Sequence, residues 1–227
     1  MHIGLIGGIG PVATEVYYRA IVRGFAAAGR TLHLTIAHAD LGVMAPNMQA
    51  GRAAEQAAVF AGHVAQLKAG GCDAAAVTSM GGHFCIAELE AIAPLPMLNA
   101  IPALDAYFAS QPARRVGVLG TRTVMESGLY GVRSVEVIAP PPDRIGAVHA
   151  AYVALAAAGV ATPEQCAFFH DAARRLHHDQ GAEIVVLGGT DLSIAFADPP
   201  GDVPIVDSAL IHADAIVRAA LADKDPR

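Results

Sequence analysis

The 227-residue chain carries 15 basic and 21 acidic residues, and its net charge of −6 offers no basic face to nucleic acid or anionic lipid. Apolar residues make up 54% of it and charged residues 16%, which suffices for a substantial core and argues against disorder. Three cysteines, Cys72, Cys85 and Cys166, are an odd number without zinc-ligand spacing, so reduced thiols in a cytoplasmic protein are expected rather than a disulfide framework or a metal site.

The chain opens on the strand-like run IGLIGG with no signal-type leader, and no apolar run reaches the roughly 18–20 residues that a membrane helix needs. Short apolar runs at 2–6, 32–38, 74–78, 96–99, 115–119, 134–138, 184–187 and 203–206 read as strands. Most are continuous rather than alternating, as in parallel strands covered on both faces. Helical stretches lie between and after them at 11–27, 51–69, 83–93, 101–111, 144–158, 162–180 and 208–222. Thr162-Pro163-Glu164-Gln165 reads as a capped helix start, and Ser208 as another cap. The alternation predicts an α/β protein with a mainly parallel sheet.

The sequence also echoes itself. IGLIGG and VGVLGT each open a half, and AAAVTSMGGH and EIVVLGGTD each end a strand in a glycine-bearing turn. One half is placed at 1–98 plus 208–227 and the other at 99–207. Ligands of open α/β sheets bind beyond the carboxyl ends of strands, so the expected site is the cleft where the halves face each other.

Four turns carry the polar and glycine residues suited to such a site. Gly7 to Thr14 (GGIGPVAT) combines glycines with a helix start that could receive an anion, and it lacks the G-x-G-x-x-G pattern of a dinucleotide fold. Thr78 to His83 clusters hydroxyls, backbone donors and an imidazole, while Gly188-Gly189-Thr190-Asp191 offers a hydroxyl and a carboxyl. Gly120 to Thr123 presents further hydroxyls. For each turn the plainer alternative is helix capping. His177 and His178 sit among charged residues and read as a solvated face.

In this order and spacing the turns resemble the aspartate/glutamate racemase family of cofactor-independent amino-acid racemases. IGLIGGIGPVATEVYYRAI is similar to that family's opening, GVLGTRTVMESGLYG to its mid-chain segment with Gly120, Thr121, Met125, Glu126 and Tyr130, and PIVDSALIHADAIV to its close, with Asp207 and His212. The resemblance implies two pseudo-symmetric three-layer halves with parallel sheets, a small amino or carboxylic acid as partner, no organic cofactor, no metal, and a homodimer. It also implies a cysteine on each face of the substrate. The family's Cys-Asn-Thr-x-His turn reads here from Ser79 to His83, and its Gly-Cys-Thr-Glu turn reads Gly188-Gly189-Thr190-Asp191, so both thiols are replaced. The family's substrate-anchoring arginine falls at Gln49, with Arg52 close by, and its lysine falls at Gly146.

The expected activity is therefore proton transfer at carbon of a small amino or carboxylic acid, outside ordinary aspartate or glutamate racemisation. His83, Asp191 and Ser79 are the candidate catalytic residues, with Cys85 ranked behind them. Gly8, Gly10, Gln49, Arg52, Thr121, Thr123, Gly189 and Thr190 are the candidate substrate-binding residues. Two alternatives stay open: a decarboxylase or other lyase on a small carboxylic acid, and a protein that binds a small acid without converting it.

Overall fold

A computed structural model describes residues 1–222. Their contacts fall into two units, Met1–Asn99 with the C-terminal segment from His212, and Ala100–Ile211. Each unit is a parallel sheet covered by helices, the α/β architecture that the alternating pattern predicts.

In the first unit β1 (His2–Gly7), β2 (His33–His38) and β3 (Ala74–Val77) pair in the order β2-β1-β3, all parallel. Met97 extends the sheet by a parallel bridge to Ala75. The unit's helices are α1 (Pro11–Ala27), α2 (Leu41–Gln49), α3 (Ala53–Ala69) and α4 (Ile86–Ile92), the last preceded by a 3-10 turn over Gly81–Cys85. In the second unit β4 (Arg115–Leu119), β5 (Glu136–Ile138), β6 (Ile184–Leu187) and β7 (Ile205–Asp207) pair in the order β5-β4-β6-β7, again parallel. Its helices are α5 (Ala100–Ala109), α6 (Arg122–Glu126), α7 (Gly128–Gly131), α8 (Pro142–Ala158), α9 (Pro163–Arg174) and α10 (Leu192–Ala195). A last helix, α11 (Ser208–Ala222), contains the point at which the division into units falls.

The strand order is the same in both units once Met97 is counted, which gives the echo between IGLIGG and VGVLGT a physical meaning. Both runs are central strands, and the glycine inside each lets a helix approach. A Cβ on Gly4 would stand 2.9 Å from Leu67 Cδ1, and one on Gly117 would stand 3.1 Å from Leu176 Cβ. The central strands are buried almost throughout, whereas β2 and β5 at the edges are half open. Hence the runs read most easily from sequence are the central ones.

Four short helices, α2, α6, α7 and α10, were not expected. Pro46 and Gly42 conceal α2, yet Asp40 starts it by accepting a hydrogen bond from the Gly42 N–H at 2.7 Å. The strand expected at 134–138 begins at Glu136, because Asp105 Oδ1 accepts from the N–H groups of Arg133 and Ser134, each at 2.8 Å. Thr162 makes the predicted capping box with Gln165. Ser208 does not cap α11. Its hydroxyl donates to the Leu187 carbonyl at 2.6 Å, and the Ala209 N–H goes instead to Asp207 Oδ1 at 2.8 Å.

One turn is strained. Gly128, Leu129, Tyr130 and Gly131 of α7 all have positive φ, +56° and +58° at the two non-glycine residues. Left-handed helical backbone costs roughly 1–2 kcal/mol for each such residue. Burial of Leu129 and a 3.0 Å hydrogen bond from the Tyr130 N–H to Ser127 Oγ hold the turn in place.

Candidate functional site

In the first unit the expected residues lie at the carboxyl ends of β1 and β3. Gly8 and Gly10 have φ of +87° and +92°, a conformation that only glycine adopts freely. The Gly8 N–H is already used, donating to Thr14 Oγ1 at 2.8 Å. A cavity of about 290 Å³ opens at this turn, but its walls include the Glu15 carboxyl and no Lys or Arg, a poor lining for an acid. After β3, Thr78 is tied to the Ile6 carbonyl at 3.0 Å, and Ser79 Oγ accepts weakly from the Gly82 N–H at 3.4 Å. Ser79 keeps 8% of its surface exposed.

His83 is 1% exposed, and its Nδ1 lies 2.7 Å from the Ser79 carbonyl, which can only accept, so Nδ1 carries the proton. Burial lowers its pKa to about 4 and keeps it neutral. The ring packs edge-on against His212 at 5.7 Å. His212 donates from Nε2 to the Leu98 carbonyl at 2.7 Å and accepts the Tyr17 hydroxyl at Nδ1 at 2.8 Å. Its pKa falls to about 3, first through burial and then through His83. These rings form a satisfied polar cluster inside the core of the unit.

Gln49 and Arg52 are exposed at the connection from α2 to α3, where Arg52 Nε donates to Asn47 Oδ1 at 3.0 Å. Cys85 is fully buried, and desolvation pushes its thiol up to about 12. Cys72 lies at the amino end of β3, Cys166 lies in α9, and all three thiols are free.

In the second unit the expected residues gather at the carboxyl ends of β4 and β6. Thr121 caps α6 by accepting from the Val124 N–H at 3.3 Å, and Thr123, two residues on, is half-buried. The Arg122 guanidinium, paired with Glu126 at 3.1 Å, lies 3.4 Å from the place of a Cβ on Gly146. A cation therefore stands over that glycine.

After β6 the geometry is more demanding. Asp191 occupies the cap position of α10, yet its side chain makes no capping hydrogen bond. Thr190 and Asp191 are each 2% exposed, and both Thr190 Oγ1 and Asp191 Oδ1 are buried with no hydrogen-bond partner. Such groups ordinarily cost about 1–3 kcal/mol each when left without a partner. Burial raises the Asp191 pKa, against the hydrogen bond that it receives from Tyr152.

Tyr152 was not among the expected residues. Its hydroxyl donates to Asp191 Oδ2 at 2.9 Å, and its ring lies over Gly189, where a Cβ would meet Cε2 at 2.3 Å. Burial first, and then Asp191, raises its pKa well above the usual phenol value, and the Tyr130 phenol adds to this. In the sequence Tyr152 is one apolar position of an alanine-rich helix, and nothing local distinguishes it. Asp207, at the end of β7, has a desolvated carboxyl with its pKa raised to about 6.

Among the described residues no group of three or more His, Cys, Asp or Glu side chains could hold a metal ion. No helix among them is long and apolar enough to cross a membrane.

The chain is similar in structure to a Yersinia pestis protein provisionally assigned as an Asp/Glu racemase, with a TM-score of 0.81 and 27% identity over 97% of this chain and 100% of that one. An aspartate racemase homologue from Pyrococcus horikoshii superposes with a TM-score of 0.78 at 21% identity, covering 97% and 99% of the two chains. Glutamate racemase from Francisella tularensis, solved with D-glutamate, gives 0.65 at 17% identity, covering 97% of this chain and 80% of its own. The last two likenesses are of fold. The sequence model of the Asp/Glu/Hydantoin racemases matches residues 6–216, nearly the whole length, and the chain belongs to that family.

Proposed function

We propose that the protein is a racemase-superfamily isomerase that moves a proton at carbon of a small amino or carboxylic acid, with Asp191 as the acid/base group. The observation that carries this reading is the unpartnered, buried Oδ1 of Asp191 beside the unpartnered hydroxyl of Thr190 at the carboxyl end of β6. As a carboxylate, Asp191 takes the proton from the substrate carbon onto Oδ1, leaving the electron pair on an enolate-like carbanion. Return of that proton regenerates the substrate, so isomerisation needs a second donor, water or the Ser79 hydroxyl, to protonate the carbanion from its other face, after which the Asp191 proton restores that donor. Its raised pKa brings it nearer to neutrality, where a general base works best. Thr190 and Thr121 offer hydroxyls to the ligand's carboxylate, and Thr123, two residues on, is a further contact.

His83 serves differently from Ser79 and Asp191. Neutral and bound to the Ser79 carbonyl, it fixes the turn after β3, while the Ser79 hydroxyl remains available to a ligand at that strand end. Both cysteines of the family pattern are read as replaced, Ser79 and Gly189 standing in their places. Gly8, Gly10, Gln49 and Arg52 remain proposed contacts, of which Gly8 would act through its position rather than its occupied N–H. A cytoplasmic homodimer that needs no organic cofactor or metal completes the proposal, and sedimentation analysis tests the dimer.

A lyase is the second reading, favoured by one observation. Only one of the two turns, that of β6, carries an ionisable side chain with unused hydrogen-bonding capacity, and a single proton delivery suffices for a decarboxylase. The deciding experiment follows the α-proton of a panel of small amino, hydroxy and carboxylic acids by NMR in deuterium oxide. Exchange with wild type and none with Asp191→Asn is expected. Irreversible loss of carbon dioxide would assign the lyase, and thermal stabilisation without exchange or turnover would leave a binding protein.

A further inference from the structure

A space over Gly189, a phenol and a half-engaged carboxyl are arranged together after β6. The Tyr152 ring fills the volume that any side chain at position 189 would need, with Cζ 2.7 Å and Cε2 2.3 Å from the would-be Cβ. From there its hydroxyl reaches Asp191 Oδ2 at 2.9 Å, while Oδ1 keeps no partner. Both side chains are buried, at 8% and 2% exposure, so neither rotates into water as an alternative. A carboxyl pinned through one oxygen has a single direction left in which to exchange a proton or accept a donor.

We propose that Tyr152 is the positioning residue of this site: packed on Gly189 and bonded to Oδ2, it fixes the Asp191 carboxyl so that Oδ1 alone meets the ligand. The packing and the hydrogen bond act together. A side chain at 189 would expel the ring, and loss of the ring would free the carboxyl to turn.

The proposal rests on the acid/base reading of Asp191 for its kinetic consequence only. Tyr152→Phe keeps the ring and removes the hydroxyl. Because that hydroxyl favours the ionised carboxyl, carbon-13 NMR of the aspartate side chains should show Asp191 titrating at higher pH in Tyr152→Phe than in wild type. Site-specific 3-fluorotyrosine at 152, of nearly the same shape and a stronger donor, should shift it the other way. In the exchange assay Tyr152→Phe should lower kcat at least tenfold with little change in KM, and move the acid limb of the pH profile with the titration.

An unmoved Asp191 titration in both variants overturns the proposal, whatever happens to thermal stability. A shifted titration with no exchange by wild type on any acid would instead sink the acid/base reading and leave the positioning role standing. Exchange by wild type with kcat unaltered in Tyr152→Phe would sink the positioning role alone.

Discussion

Tyr152 and Gly189 exclude one another's alternatives: the ring stands where every other residue at 189 would put its Cβ, 2.3 Å from Cε2. Gly189 is therefore a partner of α8 as well as a turn residue. Placing a thiol there by Gly189→Cys should overpack the site, for which about 1–3 kcal/mol is typical. Tyr152→Ala should also destabilise, by about 3–5 kcal/mol if it behaves like other large aromatic truncations. Combined, the two should cost at least 1 kcal/mol less than their sum, because each relieves the other. Additive losses of stability in denaturant would mean that the ring and the glycine do not share this space.

Thr190 separates stability from ligand binding. Its buried, unpartnered hydroxyl is a liability in the protein without a ligand. Thr190→Val keeps the shape and removes the liability, so the melting temperature should rise, by the equivalent of about 1 kcal/mol if the usual penalty for an unsatisfied group applies. The stabilisation that a bound acid confers should shrink in the same variant. A lower melting temperature together with undiminished stabilisation by the acid would count against a ligand contact at Oγ1.

The legible part of this protein was its buried, regular part. Central strands such as Val116 to Leu119 announce themselves as unbroken apolar runs, and the glycine turns that follow them mark the sheet's carboxyl edge. Asp191 could be nominated because it is charged and close in sequence to that edge. Tyr152 could not, because it lies 39 residues from Asp191 and meets it only through the packing of α8 on the sheet. The surroundings of His83, the Ser79 carbonyl and the His212 ring, were equally hidden, because residue type alone does not reveal an imidazole held neutral inside the core. Short helices escaped for a local reason, since α2 contains a proline and α7 is left-handed.

The paired buried histidines predict an acid-sensitive component of stability. Both pKa values lie below the ordinary 6.5, at about 4 for His83 and about 3 for His212. Below pH 6.5 the unfolded chain takes up protons that the folded chain refuses, so their contribution is complete above 6.5 and is lost as the pH falls toward 4 and 3. Asp207, raised to about 6, works against this, because between its ordinary 3.8 and 6 it is the folded form that holds the extra proton. Asp191 acts in the same sense. Comparing wild type with His212→Asn isolates the histidine. The variant should be less stable at pH 7.5, and the gap should narrow on acidification by at most about 1.4 kcal/mol per pH unit. A gap constant from pH 7.5 to 4.5 would show that His212 is not held neutral.

The repeat of glycine inside the two central strands predicts a matched pair of defects. On backbone grounds alone, glycine to alanine in a strand would be expected to stabilise by about 0.4–1 kcal/mol, since it restricts the unfolded chain. Contacts oppose that gain at both sites. An alanine at Gly4 meets Leu67 Cδ1 at 2.9 Å, the far end of a flexible side chain, with Leu67 Cβ at 3.2 Å behind it. At Gly117 it meets Leu176 Cβ at 3.1 Å and Ala182 Cβ at 3.2 Å, atoms that move only with the backbone. Although its nearest contact is longer, Gly117→Ala should therefore be the more damaging change, lifting the π-helical turn Arg175–Asp179 that follows α9 away from β4. Overpacking of this kind costs about 1–3 kcal/mol, enough to outweigh the entropic gain. Urea titrations of the two variants should show both midpoints lowered and the Gly117→Ala midpoint lowered further. A rise at Gly117 would mean that the close approach of Leu176 and Ala182 to the second sheet does not depend on that glycine.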